Sequence, residues 1–94
     1  MRKRLPSTQA LQAFEAAARH ESFTRAAQEL SLTQGAICRQ VASLETLVGV
    51  PLFQRARRGV RLTDAGERYS RLVRRQLDAR ERDTQAVMAH QGGG

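Results

Sequence analysis

The 94-residue chain has one cysteine, two prolines, no tryptophan, and one tyrosine and three phenylalanines as its aromatics. A single thiol, Cys38, excludes an intramolecular disulfide, and no second cysteine stands by to resolve an oxidised one. No run of 18 apolar residues exists, which excludes a bilayer-spanning helix. The opening Met1-Arg2-Lys3-Arg4-Leu5-Pro6 has the charge of an export signal, but Ser7, Thr8 and Gln9 stand where its apolar stretch belongs, so a cytoplasmic location is expected. There is no phosphate loop, nucleophile elbow or pair of carboxylates in an apolar setting, and the expectation is that the chain is not an enzyme. His20 and His90 lie far apart in sequence and no His, Cys, Asp and Glu set has ligand spacing; no metal and no cofactor is expected.

Arginine is abundant. Sixteen Lys+Arg against nine Asp+Glu give a net charge of +7 and a pI near 11.4, so the field of the chain draws polyanions. All of those cations except Lys3 are arginine, whose planar fork suits phosphates and base edges better than an ammonium does. The length allows one domain, and at this size folding hides only about 60 to 65% of the chain's surface, so support from a partner is expected.

Three short helices are predicted first. Ser7 caps a segment to about His20 in which Leu11, Phe14, Ala17 and Ala18 recur at helical spacing. Ser22 caps a second, with Phe23, Ala26, Ala27 and Leu30 as its apolar stripe. Thr33 caps a third from Gln34 to Val48, with Ile37, Val41, Leu44 and Val48 as its inward row and Leu32 placed to staple Ile37. Gly49 ends it and Pro51 prevents its resumption. Two helices joined by so short a turn have the layout of a helix-turn-helix.

From Leu52 the period falls to two, which predicts a small hairpin ending at Leu62, with Arg57 and Arg58 at its tip and Gly59 free to take a positive φ. Thr63 caps a last helix to about Ala89, supported by Asp64 with Arg68, Glu67 with Arg71 and Asp78 with Arg82 at i, i+4. Tyr69, Leu72, Val73 and Leu77 would expose a sizeable apolar strip there, which predicts dimerisation. Gln91-Gly92-Gly93-Gly94 reads as a flexible tail.

Projected at about 100° per residue, the third helix turns Gly35, Arg39, Ala42 and Thr46 away from its inward row, flanked by Cys38 and Ser43. Small residues around one long fork let a helix backbone approach a major groove, where arginine on guanine is the commonest specific contact. Gln34 on the first turn is placed for a base edge or a phosphate, and the Thr33 hydroxyl with its neighbouring amides for a phosphate. Taken singly, Arg39 and Gln34 are ordinary surface residues. Together with the turn, the staple and the charge they point to recognition. Arg57 and Arg58 either enter a minor groove or form a solvated edge that blocks strand pairing. A basic last helix suits a membrane surface less well than a partner helix, since its acid-arginine pairs and lack of Trp and Phe favour the latter. For RNA binding the chain lacks the aromatic platforms that usually stack unpaired bases.

Several stretches carry a family resemblance: Ala13-Phe14-Glu15-Ala16-Ala17-Ala18, Ser22-Phe23-Thr24-Arg25-Ala26-Ala27, Leu32 to Val41 with Leu44-Glu45, Pro51 to Arg55, and Arg58 to Gly66. In that order, over nearly the whole chain, they resemble the N-terminal DNA-binding domain of LysR-type transcriptional regulators. The resemblance implies a mainly α fold, a winged helix-turn-helix with three helices and a β-hairpin wing, followed by a linker helix that pairs antiparallel with its mate in a homodimer. On it, residues 1–63 form the DNA-binding unit, 64–90 the linker and dimerisation helix, and 91–94 the tail. It places Thr33, Gln34, Gly35, Cys38 and Arg39 at the recognition helix's contact positions and Arg58 at the wing arginine. The family commonly has serine where this chain has Cys38, and proline or serine where it has Gly35. A C-terminal domain that binds a small-molecule effector has no room in 94 residues, so an effector is expected only in a longer form. The function expected is sequence-specific binding of double-stranded DNA, at an interrupted inverted repeat, by a homodimeric transcription regulator. The alternative is a protein-interaction or dimerisation module whose charge is incidental.

Overall fold

The computed structural model describes residues 5–93, with side chains described for residues 5–90. The elements follow in the order α1 (Thr8–His20), α2 (Phe23–Leu30), α3 (Gln34–Val48), β1 (Phe53–Arg55), β2 (Val60–Leu62) and α4 (Asp64–Gly93). Each helix begins where its cap was expected. The hydroxyls of Ser7, Ser22, Thr33 and Thr63 accept from the amides of Ala10, Arg25, Ala36 and Gly66 at 3.0, 3.1, 3.1 and 3.0 Å. These bonds satisfy donors that a helix start leaves unpaired. Gly49 closes α3 at φ 81°, whereas α1 and α2 close on non-glycine residues in the left-handed region, Glu21 at φ 50° and Ser31 at φ 57°.

Alanine decides how the helices pack. Ala13, Ala16 and Ala17 of α1, Ala26 and Ala27 of α2, and Ile37 and Val41 of α3 form one buried cluster. Side chains this small let three backbones approach closely around a single large residue, Ile37. A second cluster joins Leu11 and Phe14 of α1 to Leu44, Leu52 and Val73, with Leu47, Phe53, Tyr69 and Leu77 packed around it. Phe14 is central to it, its ring 5.6 Å from Phe53 at 70° and 5.5 Å from Tyr69 at 30°. Burying each such large side chain stabilises the fold by roughly 1.5 to 3 kcal/mol.

The hairpin pairs Phe53 with Leu62, Gln54 with Arg61 and Arg55 with Val60, antiparallel. A two-stranded ribbon is marginal alone, and this one is fastened at its base. The Glu45 carboxylate of α3 accepts from the amides of Leu52 at 2.7 Å and Phe53 at 3.3 Å, and the Thr63 hydroxyl donates to the Pro51 carbonyl at 2.8 Å. Gly66 must be glycine, because a Cβ there would overlap the Leu52 carbonyl.

Four expectations are corrected. Val48 is exposed, and Leu47 packs on the second cluster at the end of α3, because the core beneath that turn is drawn toward Leu52. Leu32 is 48% exposed while Ile37 is fully buried, so α1 and α2, not a staple, hold Ile37. Helix α4 continues through Gly93, past both the end expected at Ala89 and the start of the expected tail; Gly94 lies outside the described residues. No proline interrupts it, and each glycine costs only about 1 kcal/mol relative to alanine. The acid-arginine pairs expected along α4 are not among the ion pairs of the described residues, which centre on α1. Arg19 meets Glu15 at 2.9 Å and Glu29 at 2.6 Å, His20 meets Glu29 at 2.7 Å, and Arg74 reaches Glu15 at 3.7 Å. The six side chains of the expected pairs are in no ion pair among the described residues, as suits solvated charges whose pairing at i, i+4 gains only about 0.2 to 0.5 kcal/mol.

That network ties α2 to α1. Hydrogen bonds from Arg19, and then from His20, hold the Glu29 carboxyl at about 2, down from 4.5. A carboxylate depressed in the folded state adds stability above its unfolded value and loses it as pH falls through the folded one. The Glu29 contribution should therefore be complete above about pH 4.5 and vanish by about pH 2. Urea titrations of the native chain and Glu29→Gln should show the two stabilities converging across that window, and parallel curves would contradict the assignment.

Candidate nucleic-acid interface

The third helix lies with Ile37, Val41 and Leu44 buried and its other side open. Thr33, Gln34, Gly35, Arg39, Ala42, Ser43 and Thr46 are exposed and Cys38 is half-buried. Among the described residues no carboxylate lies within ion-pair distance of Arg39. Its guanidinium lies back along the helix over Gly35, where an added Cβ would stand 3.4 Å from Nη1. A Cβ at position 35 would thus meet the fork at ordinary contact distance, and what glycine provides there is a bare stretch of backbone beside the guanidinium. Gln34 Oε1 accepts a 3.4 Å contact from the Thr24 hydroxyl of α2.

Cys38 does not stand on the open face. It lines a hollow between α3 and the hairpin, with Phe23, Thr24, Gln34, Arg55 and Val60. This hollow brings the start of α3 beside the hairpin, so the two elements singled out in the sequence share one side of the molecule. Arg57 and Arg58 are exposed at the hairpin tip, around a second hollow with Glu21 and Arg61. Thr24, Arg55 and Arg61 are surface groups that sequence reasoning passed over; the two arginines sit in the alternating strand pattern, whereas only the fold brings Thr24 to Gln34.

The four dimerisation candidates are divided by the structure. Val73 is fully buried, and Tyr69 and Leu77 pack on the same cluster; Leu72 alone of the four is exposed, at 46%. The strip expected to face a partner is mostly the floor of the chain's own core, because α4 lies against α1 for its first turns. Burial raises the Tyr69 hydroxyl above its usual range.

Three helices on an alanine core with a fastened antiparallel hairpin constitute a winged helix-turn-helix. Residues 8–67 match the family model described as bacterial regulatory helix-turn-helix protein, lysR family, and the chain belongs to that family. It is 54% identical over 69 residues to the glycine cleavage system transcriptional activator of Escherichia coli K12, covering 73% of this chain and 23% of that protein. To the transcriptional activator AmpR of Pseudomonas aeruginosa it is 62% identical over 58 residues, 62% of this chain and 20% of that one. The matched part thus spans about a quarter or less of the length of these curated relatives. Among solved structures, the CbnR DBD–DNA complex superposes with a TM-score of 0.80 at 33% identity over 89% of this chain and 97% of that one. The BenM DBD bound to catB site 1 DNA gives 0.83 at 26% identity, over 88% and 93%. No helix among the described residues is long and apolar enough to cross a membrane.

Thr33 holds the turn that presents this face. Thr33→Ala should lower stability by about 1 kcal/mol, the usual cost of losing a cap, as read by urea denaturation, and Thr33→Ser should restore most of it.

Proposed function

We propose that this domain binds double-stranded DNA sequence-specifically, as a homodimer, in a transcription regulator. The observation that carries the reading is Arg39, an exposed guanidinium with no acid partner among the described residues, lying along a helix face otherwise made of small residues. Gly35, Ala42 and Ser43 let the backbone enter a major groove, where Arg39 reads guanine and Gln34 a neighbouring edge or phosphate. Thr33 and the amides it leaves free hold a phosphate, while Cys38, half-buried in the hollow beside the hairpin, backs that surface. Arg57 and Arg58 enter the adjacent minor groove. The likeness to domains solved on DNA supports this docking.

Residues 1–63 make the DNA-contacting unit and 64–90 the linker and dimerisation helix, whose first turns also complete the core. A two-fold pair reads an interrupted inverted repeat, with half-sites separated by whole turns of roughly 34 to 36 Å. The face of α4 left for a partner carries Leu72 and, about 60° round the helix axis, the exposed Val87, and not Val73. Such a regulator works in the cytoplasm and catalyses nothing; a small-molecule effector acts only where a further regulatory domain is joined to it.

Arg39→Ala should lose roughly 1 to 3 kcal/mol on one cognate base pair and flatten the preference there, as read by binding-site selection on random duplexes. Duplex affinity of the native chain should fall steeply with salt; absence of binding at low salt would favour an interaction module instead. Leu72→Glu should shift dimers toward monomers in light scattering without unfolding the chain, and an unchanged mass would place the interface elsewhere.

A further inference from the structure

We infer that the turn between α1 and α2 sets the position of the wing, and that Gly59 is the residue through which it does so. The inference rests on the reading that Arg57 and Arg58 approach DNA, but concerns residues that reading gives no role. The wing touches the helical body at a point remote from its strand bases. Gly59, at φ 95°, places its backbone so close to the turn that an added Cβ would stand 2.8 Å from the Glu21 carbonyl oxygen. The next residue, Val60, donates its amide to that same oxygen at 3.4 Å. Glu21 itself is held at φ 50°, its amide bonded to the Ala17 carbonyl at the end of α1. Its carbonyl is therefore fixed by the most deeply buried helix of the domain.

The hairpin tip is closed by the Ala56 amide bonding to the Gly59 carbonyl, 3.2 Å. Gly59 thus belongs both to the turn that carries the two arginines and to the contact with the body. A side chain there must push the tip outward, and a shift of that kind moves both guanidiniums together. Glu45, Thr63 and the packing of Phe53 on Phe14 and Phe23 hold the wing at its base, and a two-stranded ribbon attached at that end alone is marginal and free to swing at its tip. With the Glu21 contact it has two separated points of attachment, which fix its angle. Glu21 and Gly59 act as positioning residues, through backbone atoms, so the Glu21 carboxylate is dispensable to the role.

Duplex binding of native chain, Gly59→Ala, Arg57→Ala with Arg58→Ala, and the triple variant, compared by fluorescence anisotropy at fixed salt, tests the idea. Removing the two arginines should weaken binding roughly tenfold if they face a groove. Gly59→Ala should do nearly the same by itself and add less than about twofold to the arginine double variant, since it acts only through them. Gly59→Asn, which takes positive φ more readily yet carries a Cβ, should behave like Gly59→Ala. Full affinity in Gly59→Ala, or losses that simply add, would overturn the inference. An arginine double variant with native affinity would instead overturn the groove reading of the wing. Hydrogen exchange on the native chain needs no variant: the Val60 amide should be protected while those of Arg57 and Arg58 are open. A Val60 amide exchanging at the free rate would also refute the contact.

Discussion

Close approach of α1 to everything around it is the constraint on which the rest depends. Ala10, Leu11, Ala13, Phe14, Ala16, Ala17 and Ala18 are all buried, which leaves this helix little surface of its own. Alanine is the least costly residue to place in a helix and the smallest with a Cβ. A run of alanines therefore secures the helix and brings neighbouring axes near, and α2 and α3 pack on it around Ile37. Interiors are dense enough that a single added methylene is felt. The angle between α2 and α3, and so the attitude of the exposed face of α3, follows from these contacts.

Phe14 extends the same logic to the remaining elements. Its ring meets Phe53 of the hairpin and Tyr69 of α4, while Leu44 and Leu52 complete the surround. One side chain on α1 thus sets where the wing root and the last helix lie. Polar groups then fix what packing leaves free: Glu45 satisfies two amides at the entry to β1, and Thr63 both caps α4 and holds Pro51. The charged network on the other side of α1, Arg19 with Glu15 and Glu29, fastens α2 at the surface. Such exposed pairs add little compared with the core, so they trim the arrangement and do not create it.

The division of labour on α3 follows. One side is committed to the alanine core, and the other carries a single long cation among small residues. Charge alone would draw any polyanion; a defined face held by a buried one converts attraction into docking with orientation. The two arginines of the wing tip stand on an element that has its own fastening to the helical body, so the contacts proposed for it act as part of a rigid unit.

Local chemistry was legible in the chain. The caps Ser7, Ser22, Thr33 and Thr63, the breaks at Gly49 and Pro51, the period-two hairpin and the outward setting of Arg39 are each decided within a few residues, and the structure places them where the sequence does. What lay beyond a few residues was decided by tertiary packing. Val73 and Val48 exchanged the roles expected of them, since helical spacing reports which residues share a face but not what will cover it. Ion pairs formed around Arg19, which meets Glu15 on its own helix and Glu29 on α2, and not along α4; spacing alone marks both kinds of pair as possible, and only the fold brings Glu29 to Arg19. Cys38 turned toward the hairpin, and Gly59 met the Glu21 carbonyl, through backbone placements that only the assembled fold defines.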